Sequence, residues 1–186
     1  MNSPSTLELA LIGLLKQQAQ SGYNLRKTFA TTAMRHFSDS PGAIYPALRR
    51  LEQRGWIAAE GSYGNGSGER RHRRAFRMTA AGDTALIECL CRPVTRDDVI
   101  WRMPELMLRF AFMDGNVPRS TTLLFLEQFE QALGAYLAEL RTSFARMIST
   151  IPINTGLLAF QSGIESMEAQ LAWAGHARAR LAEDAL

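Results

Sequence analysis

The segment Ser40-Pro41-Gly42-Ala43-Ile44-Tyr45-Pro46-Ala47-Leu48-Arg49-Arg50-Leu51-Glu52 reads as a short helix with two chemically different faces. Ser40 suits the N-cap, and Pro41 suits the first helical position, where its missing N–H costs nothing. At about 100° per residue, Ile44, Ala47, Leu48 and Leu51 fall on one apolar face. Gly42, Tyr45, Pro46, Arg49 and Gln53 fall opposite, with Arg50 at the edge. A small, flat, arginine-bearing face near a helix N-terminus is what a DNA major groove admits. The same pattern also describes an ordinary surface helix whose arginines meet only water. The segments on either side weigh between the two.

Upstream, Leu7, Leu11, Leu14 and Leu15 recur at helical spacing behind Thr6, a candidate cap. Ser21 is placed to cap a second helix containing Tyr23, Leu25, Phe29 and Ala30, with Arg26 and Lys27 facing away. Three helices with short links, the third bearing the arginine face, make a helix-turn-helix. Downstream, Gly55 is a C-cap and Trp56-Ile57-Ala58-Ala59-Glu60 a predicted strand. A glycine-rich stretch follows at 61–68 and leads into Glu69-Arg70-Arg71-His72-Arg73-Arg74. The alternation Phe76-Arg77-Met78 predicts a second strand. Two strands around a glycine loop form the wing of a winged helix. Arginine runs are usually only solvated. At the base of a hairpin beside a candidate recognition helix, this one is placed to neutralise phosphates or reach a minor groove. His72 is a spare hydrogen-bond donor there rather than a metal ligand. Thr79 caps a fourth helix through Leu86, Ile87 and Leu90, which Pro93 ends.

Composition agrees with this division. The chain has 186 residues, 46% of them hydrophobic and 21% charged, which fits a globular protein with a real core. Its net charge of +3 is unevenly spread: residues 1–90 carry 12 basic and 7 acidic side chains, residues 91–186 carry 9 and 11. A basic half joined to a mildly acidic one predicts a polyanion-binding unit attached to something else. No apolar run is long enough to span a bilayer, and Met1-Asn2-Ser3-Pro4 shows no secretion signal, so a cytoplasmic protein without membrane association is expected. Cys89 and Cys91 are too few for a structural zinc site and are read as reduced and structural. No cofactor motif, metal-ligand spacing or Ser/His/Asp set is present, so an enzyme is not expected.

The polar connection from Arg92 to Val99 sets the predicted boundary, giving a winged helix over residues 1–91 and a helical domain over 92–186. The second half is helical by pattern throughout. Leu126, Phe129, Leu133, Tyr136, Leu140 and Phe144 stripe one long helix that starts at Pro118. After the break at Ile151-Pro152-Ile153-Asn154-Thr155, Ile164, Met167 and Leu171 stripe another, with Trp173 beside them. Two long amphipathic helices with a short link lie antiparallel. They carry more apolar positions than two helices can cover, which predicts a homodimer built on these ten residues. A dimer places two reading heads about one DNA turn, ~34 Å, or a multiple apart, and so selects a palindrome. Trp101, Met103, Met107 and Phe110 could line a pocket for a small hydrophobic or aromatic ligand, although such clusters are more often plain core. The fold expected is therefore mainly α: a winged helix-turn-helix with a two-stranded wing, then a helical dimerisation domain.

The chain resembles the PadR family of bacterial transcriptional regulators. The resemblance lies in Leu11-Ile12-Gly13-Leu14-Leu15 with Ser21-Gly22-Tyr23-Asn24-Leu25, in the 40–52 segment with Gly55-Trp56-Ile57, and in Arg73-Arg74-Ala75-Phe76-Arg77-Met78-Thr79-Ala80-Ala81-Gly82. Glu168-Ala169-Gln170-Leu171-Ala172-Trp173 resembles the branch with a longer, virulence-activator-type C-terminal domain. The resemblance implies a dimeric winged helix on operator DNA, with repression as the default. It departs from the family at Ala75-Phe76, where two aromatics are common, and at the long glycine-rich wing tip. Pro46 fits the motif but removes a helix hydrogen bond, so a local kink is expected. The set predicted to meet double-stranded DNA is Tyr23, Arg26, Lys27, Ser40, Gly42, Ala43, Tyr45, Pro46, Arg49, Arg50, Arg70, Arg71, His72, Arg73 and Arg74. The rival is a winged-helix protein-interaction module that does not touch an operator.

Overall fold

The computed structural model describes residues 3–32, 41–60 and 74–183. The chain divides into two compact units, Met1–Leu90 and Cys91–Leu186. The first holds α1 (Thr6–Gln17), β1 (Gln20–Ser21), α2 (Gly22–Thr31), α3 (Pro41–Gln53), β2 (Ile57–Glu60), β3 (Ala75–Met78) and most of α4 (Ala80–Cys91). The second holds α5 (Arg96–Trp101), α6 (Met103–Ala111), α7 (Arg119–Ile148) and α8 (Thr155–Glu183).

In the first unit α1 is central. Every residue from Glu8 to Leu15 is buried, so the helix is covered all round rather than along one stripe. Its cap is Ser5, one residue before the expected Thr6: the Ser5 hydroxyl accepts from the Glu8 N–H, and the Glu8 carboxylate accepts from the Ser5 N–H, a closed capping box. Ser21 caps α2 as expected, accepting from Asn24 N–H at 3.2 Å. The apolar face of α3 is wholly inside, with Ile44, Ala47 and Leu51 at 0% exposure and Leu48 at 1%. The helix runs without interruption through Pro46.

The sheet has three strands, not two, in the antiparallel order β1-β3-β2. The two-residue β1 pairs Gln20 with Phe76 and Ser21 with Ala75, making β3 the central strand. No periodicity can show in two residues, so β1 escaped sequence reading. Gly55 adopts φ +69° and turns the chain from α3 into β2. Thr79 ties the base of the hairpin to α4: its N–H donates to the Trp56 carbonyl, its hydroxyl donates to the Gly55 carbonyl at 2.6 Å, and it accepts from Gly82 N–H.

In the second unit the stretch 92–99 is more ordered than the expected polar connection. Thr95 caps α5 through a capping box with Asp98, and the Gln128 side chain accepts from Val94 N–H. Gly115 at φ +70° closes the turn after α6. The long helices α7 and α8 lie antiparallel, as their cross-links show. Arg178 meets Glu130 at 2.8 Å, Arg141 meets Glu168 at 2.6 Å, and Phe144 meets Phe160 edge to face. Asn154 caps α8 by accepting from Leu157 N–H.

Candidate nucleic-acid interface

With its apolar side spent on the core, α3 presents a second face. Gly42, Tyr45, Pro46 and Arg49 are exposed, and Ala43 is half-buried. Tyr45 is 41% exposed, large for an aromatic ring on a surface helix. Arg49 has no ion-pair partner among the described residues. On α2, Tyr23, Arg26 and Lys27 are exposed, and the Arg26 guanidinium lies 5.6 Å from the Tyr23 ring centre. The Tyr45 ring of α3 rests against Gly22 at the start of α2.

Two predicted contact residues are already engaged within the unit. The Arg50 Nε donates to Glu8 at 2.8 Å, and Arg54, one turn on, reaches the other carboxylate oxygen at 3.3 Å. Arg50, at the edge of the outward face, thus braces α3 against α1 while its side chain stays half-exposed. Arg74 pairs with Glu52 at 2.5 Å and stacks over Phe76, joining β3 to α3. Ser40, Arg70, Arg71, His72 and Arg73 lie outside the described residues.

Glu8 is the functional-unit residue that sequence reading missed. Its side chain is 3% exposed beneath α3. Burial pushes its pKa up, but the Ser5 N–H and the Arg50 and Arg54 guanidiniums outweigh this and hold the carboxyl below the ordinary range. The Ser5-x-x-Glu8 spacing signals the cap. Nothing in the sequence signals the arginines, which lie 42 and 46 residues away.

In the second unit, Leu126, Phe129 and Leu133 are completely buried in the chain's own core, and Ile164 nearly so. Tyr136, Leu140, Phe144, Met167 and Leu171 are partly covered. Trp173 is 36% exposed, with its edge on Phe110 and Phe129. The apolar side chains left outside are mainly others: Leu124, Ile148, Ile151, Ile153 and Leu158. Of the expected pocket residues, Met103, Met107 and Phe110 pack against the core of this unit, while Trp101 is 78% exposed. Asp98 is buried beneath Arg92 and Thr95; burial raises its pKa, but hydrogen bonds from Thr95 and the nearby guanidiniums lower it more. The buried Arg109 guanidinium donates to the Arg92 carbonyl and faces the Phe125 ring. Cys89 is buried and Cys91 exposed, and neither is in a disulfide. Among the described residues no cluster of three His, Cys, Asp or Glu gathers to hold a metal. No described helix is long and apolar enough to cross a membrane.

Residues 11–88 match the transcriptional regulator PadR-like family. The negative transcriptional regulator PadR of Bacillus subtilis is 24% identical over 144 residues, covering 77% of this chain and 76% of that protein. The crystal structure of Bacillus subtilis PadR with operator DNA aligns with 95% of this chain and 99% of its own, at 20% identity and a TM-score of 0.44. The structure of the same protein with p-coumaric acid aligns over the same shares, at 19% identity and a TM-score of 0.44. The family match ends at residue 88 and does not extend into the helical second half.

Proposed function

We propose that this chain, whose residues 11–88 match the PadR-like transcriptional regulator family, works as a homodimeric repressor that reads a palindromic operator with α3. The observation that carries this reading is the two-sided α3. Its apolar side is fully sealed in the core, so Gly42, Tyr45, Pro46 and Arg49 are held outward on a rigid element rather than a loop. Arg49 is suited to bidentate contact with a guanine edge, and Gly42 lets the backbone approach closely. Arg26 and Lys27 on α2 are placed for phosphates, which position the protein and supply most of the affinity. The net charge of the first 90 residues, +5, supports the same partner. A second copy on the exposed apolar residues of the α7–α8 hairpin completes the reading, since two reading heads are what a palindrome requires.

An aromatic effector is the finer part of the proposal. Trp101 on α5, 78% exposed, is the aromatic ring open to such a ligand, and p-coumaric acid, which the Bacillus subtilis PadR binds, is the first compound to try. A reading as a protein-docking module shares the fold and differs in its response to salt.

The experiment is a duplex titration at several salt concentrations, comparing an enriched sequence with a scrambled one. Binding should weaken steeply as salt rises. Arg49→Ala should cost about 1–3 kcal/mol on the enriched duplex and little on the scrambled one. Lys27→Ala should weaken both alike and reduce the salt slope by about 1. Added p-coumaric acid should raise the dissociation constant for the enriched duplex. Binding that ignores salt, or equal losses on both duplexes for both variants, would sink the reading.

A further inference from the structure

We propose that Gly22 is a positioning residue for Tyr45: the bare Cα of Gly22 is the seat that holds the Tyr45 ring on the outward face of α3, and so helps set which duplex sequence is read. The inference rests on the DNA-binding reading above and deepens it.

Gly22 is the first residue of α2 and is buried. Its backbone does not call for glycine. Among the described residues only Gly55 and Gly115 have positive φ. Space is what it supplies. A Cβ at position 22 would lie 2.7 Å from Tyr45 Cε1, 3.4 Å from Tyr45 Cδ1 and 3.4 Å from Leu48 Cδ1. The Leu48 distance is ordinary van der Waals contact, and Leu48 is locked in the core at 1% exposure. The Tyr45 distance is not tolerable, so one group has to move. Tyr45 is 41% exposed and has solvent to swing into.

The consequence is a clean separation between stability and recognition. Alanine is a better helix former than glycine, and it narrows the unfolded ensemble. The Ser21 cap bonds to the backbone of Asn24 and does not depend on the side chain at 22. Gly22→Ala therefore leaves the fold standing and displaces one aromatic ring. That ring sits one helical turn before Arg49 on the same face. Shifting it alters what α3 brings to a base edge without removing any charge.

The test uses the full chain and a duplex enriched from a random pool by the wild-type protein, with a scrambled duplex as control. Gly22→Ala should lower affinity for the enriched duplex at least tenfold, leave the scrambled duplex within twofold, and leave the melting midpoint unchanged or raised. In a Tyr45→Ala background, Gly22→Ala should have no further effect. Wild-type affinity in Gly22→Ala, or the same loss with and without Tyr45, overturns the proposal. A wild-type protein that enriches no duplex overturns the DNA-binding reading itself, and this inference with it. Should Gly22→Ala melt lower, the ring seat is read directly by NMR. The Gly22 Hα resonances should be displaced by the Tyr45 ring current and return to their ordinary position in Tyr45→Leu. No displacement in the wild type overturns the seat.

Discussion

Glu8 shows how one side chain can serve three purposes. It closes the capping box of α1, fills a buried site, and braces α3 through Arg50 and Arg54. Glu8→Gln keeps the volume and loses the charge. Arg50 is half-exposed and keeps much of its hydration, so the expected loss is about 2 kcal/mol, the charged-hydrogen-bond range discounted for solvent. Its pH dependence has a definite sign. The folded carboxyl holds its proton less tightly than the unfolded one, so the contribution is present above the ordinary glutamate range. It fades as the pH falls through the lowered folded value. Urea melts between neutral and acid pH should show the first unit weakening in that window, and the Glu8→Gln protein should show a flatter profile there. Half of this residue's work was readable in advance, since Ser5-x-x-Glu8 is a capping signature. The other half was not, because a carboxylate's partner across 42 residues leaves no local trace.

Among helices and strands, the α3–β2–β3–α4 succession is where local pattern and packing agree best. The apolar face of α3, the Gly55 turn and the Phe76-Arg77-Met78 alternation all emerge as periodicity and turn chemistry predict. What locks them together is less visible. The start of α4 presses against the wing base so closely that a Cβ at Gly82 would overlap the Trp56 carbonyl oxygen and crowd Met78 Sδ at 2.8 Å. A backbone carbonyl cannot swing aside as an exposed ring can, and this one also accepts from Thr79 N–H. Gly82→Ala should therefore cost about 3 kcal/mol, the upper end of overpacking. Chemical denaturation is the measurement, and an alanine variant as stable as the wild type would show that α4 can slide. The contrast with Gly22 is instructive: two buried glycines in one unit, one guarding a main chain and the other a surface ring.

For the chain entire, the division into a basic and a mildly acidic half coincides with the division into two compact units, a winged helix and a helical hairpin. The hairpin uses most of its stripe on itself. Leu126, Phe129, Leu133 and Ile164 are core within one chain, which leaves Leu124, Ile148 and Leu158 as the apolar side chains a second copy would cover. Replacing Ile148 and Leu158 with aspartate should yield a monomer by light scattering with an unchanged circular dichroism spectrum. A wild-type protein that is itself monomeric at micromolar concentration would remove the homodimer from the proposal. Counting apolar positions predicted a surplus. Leu124, Ile148 and Leu158 flank the stripes that the hairpin keeps for itself.

From residue order alone follow the helices other than α5, two of the three strands, the capping at Ser21 and Thr79, the turn at Gly55 and the outward set on α3, since each depends on neighbours within a turn or two of chain. Folding in three dimensions settled the rest: the third strand, the carboxylate beneath α3, the close seats at Gly22 and Gly82, and which stripe the hairpin keeps for itself. The physical reason is the range of the interactions. Periodicity records which side of a segment shuns water, but it carries no record of which distant group comes to meet it.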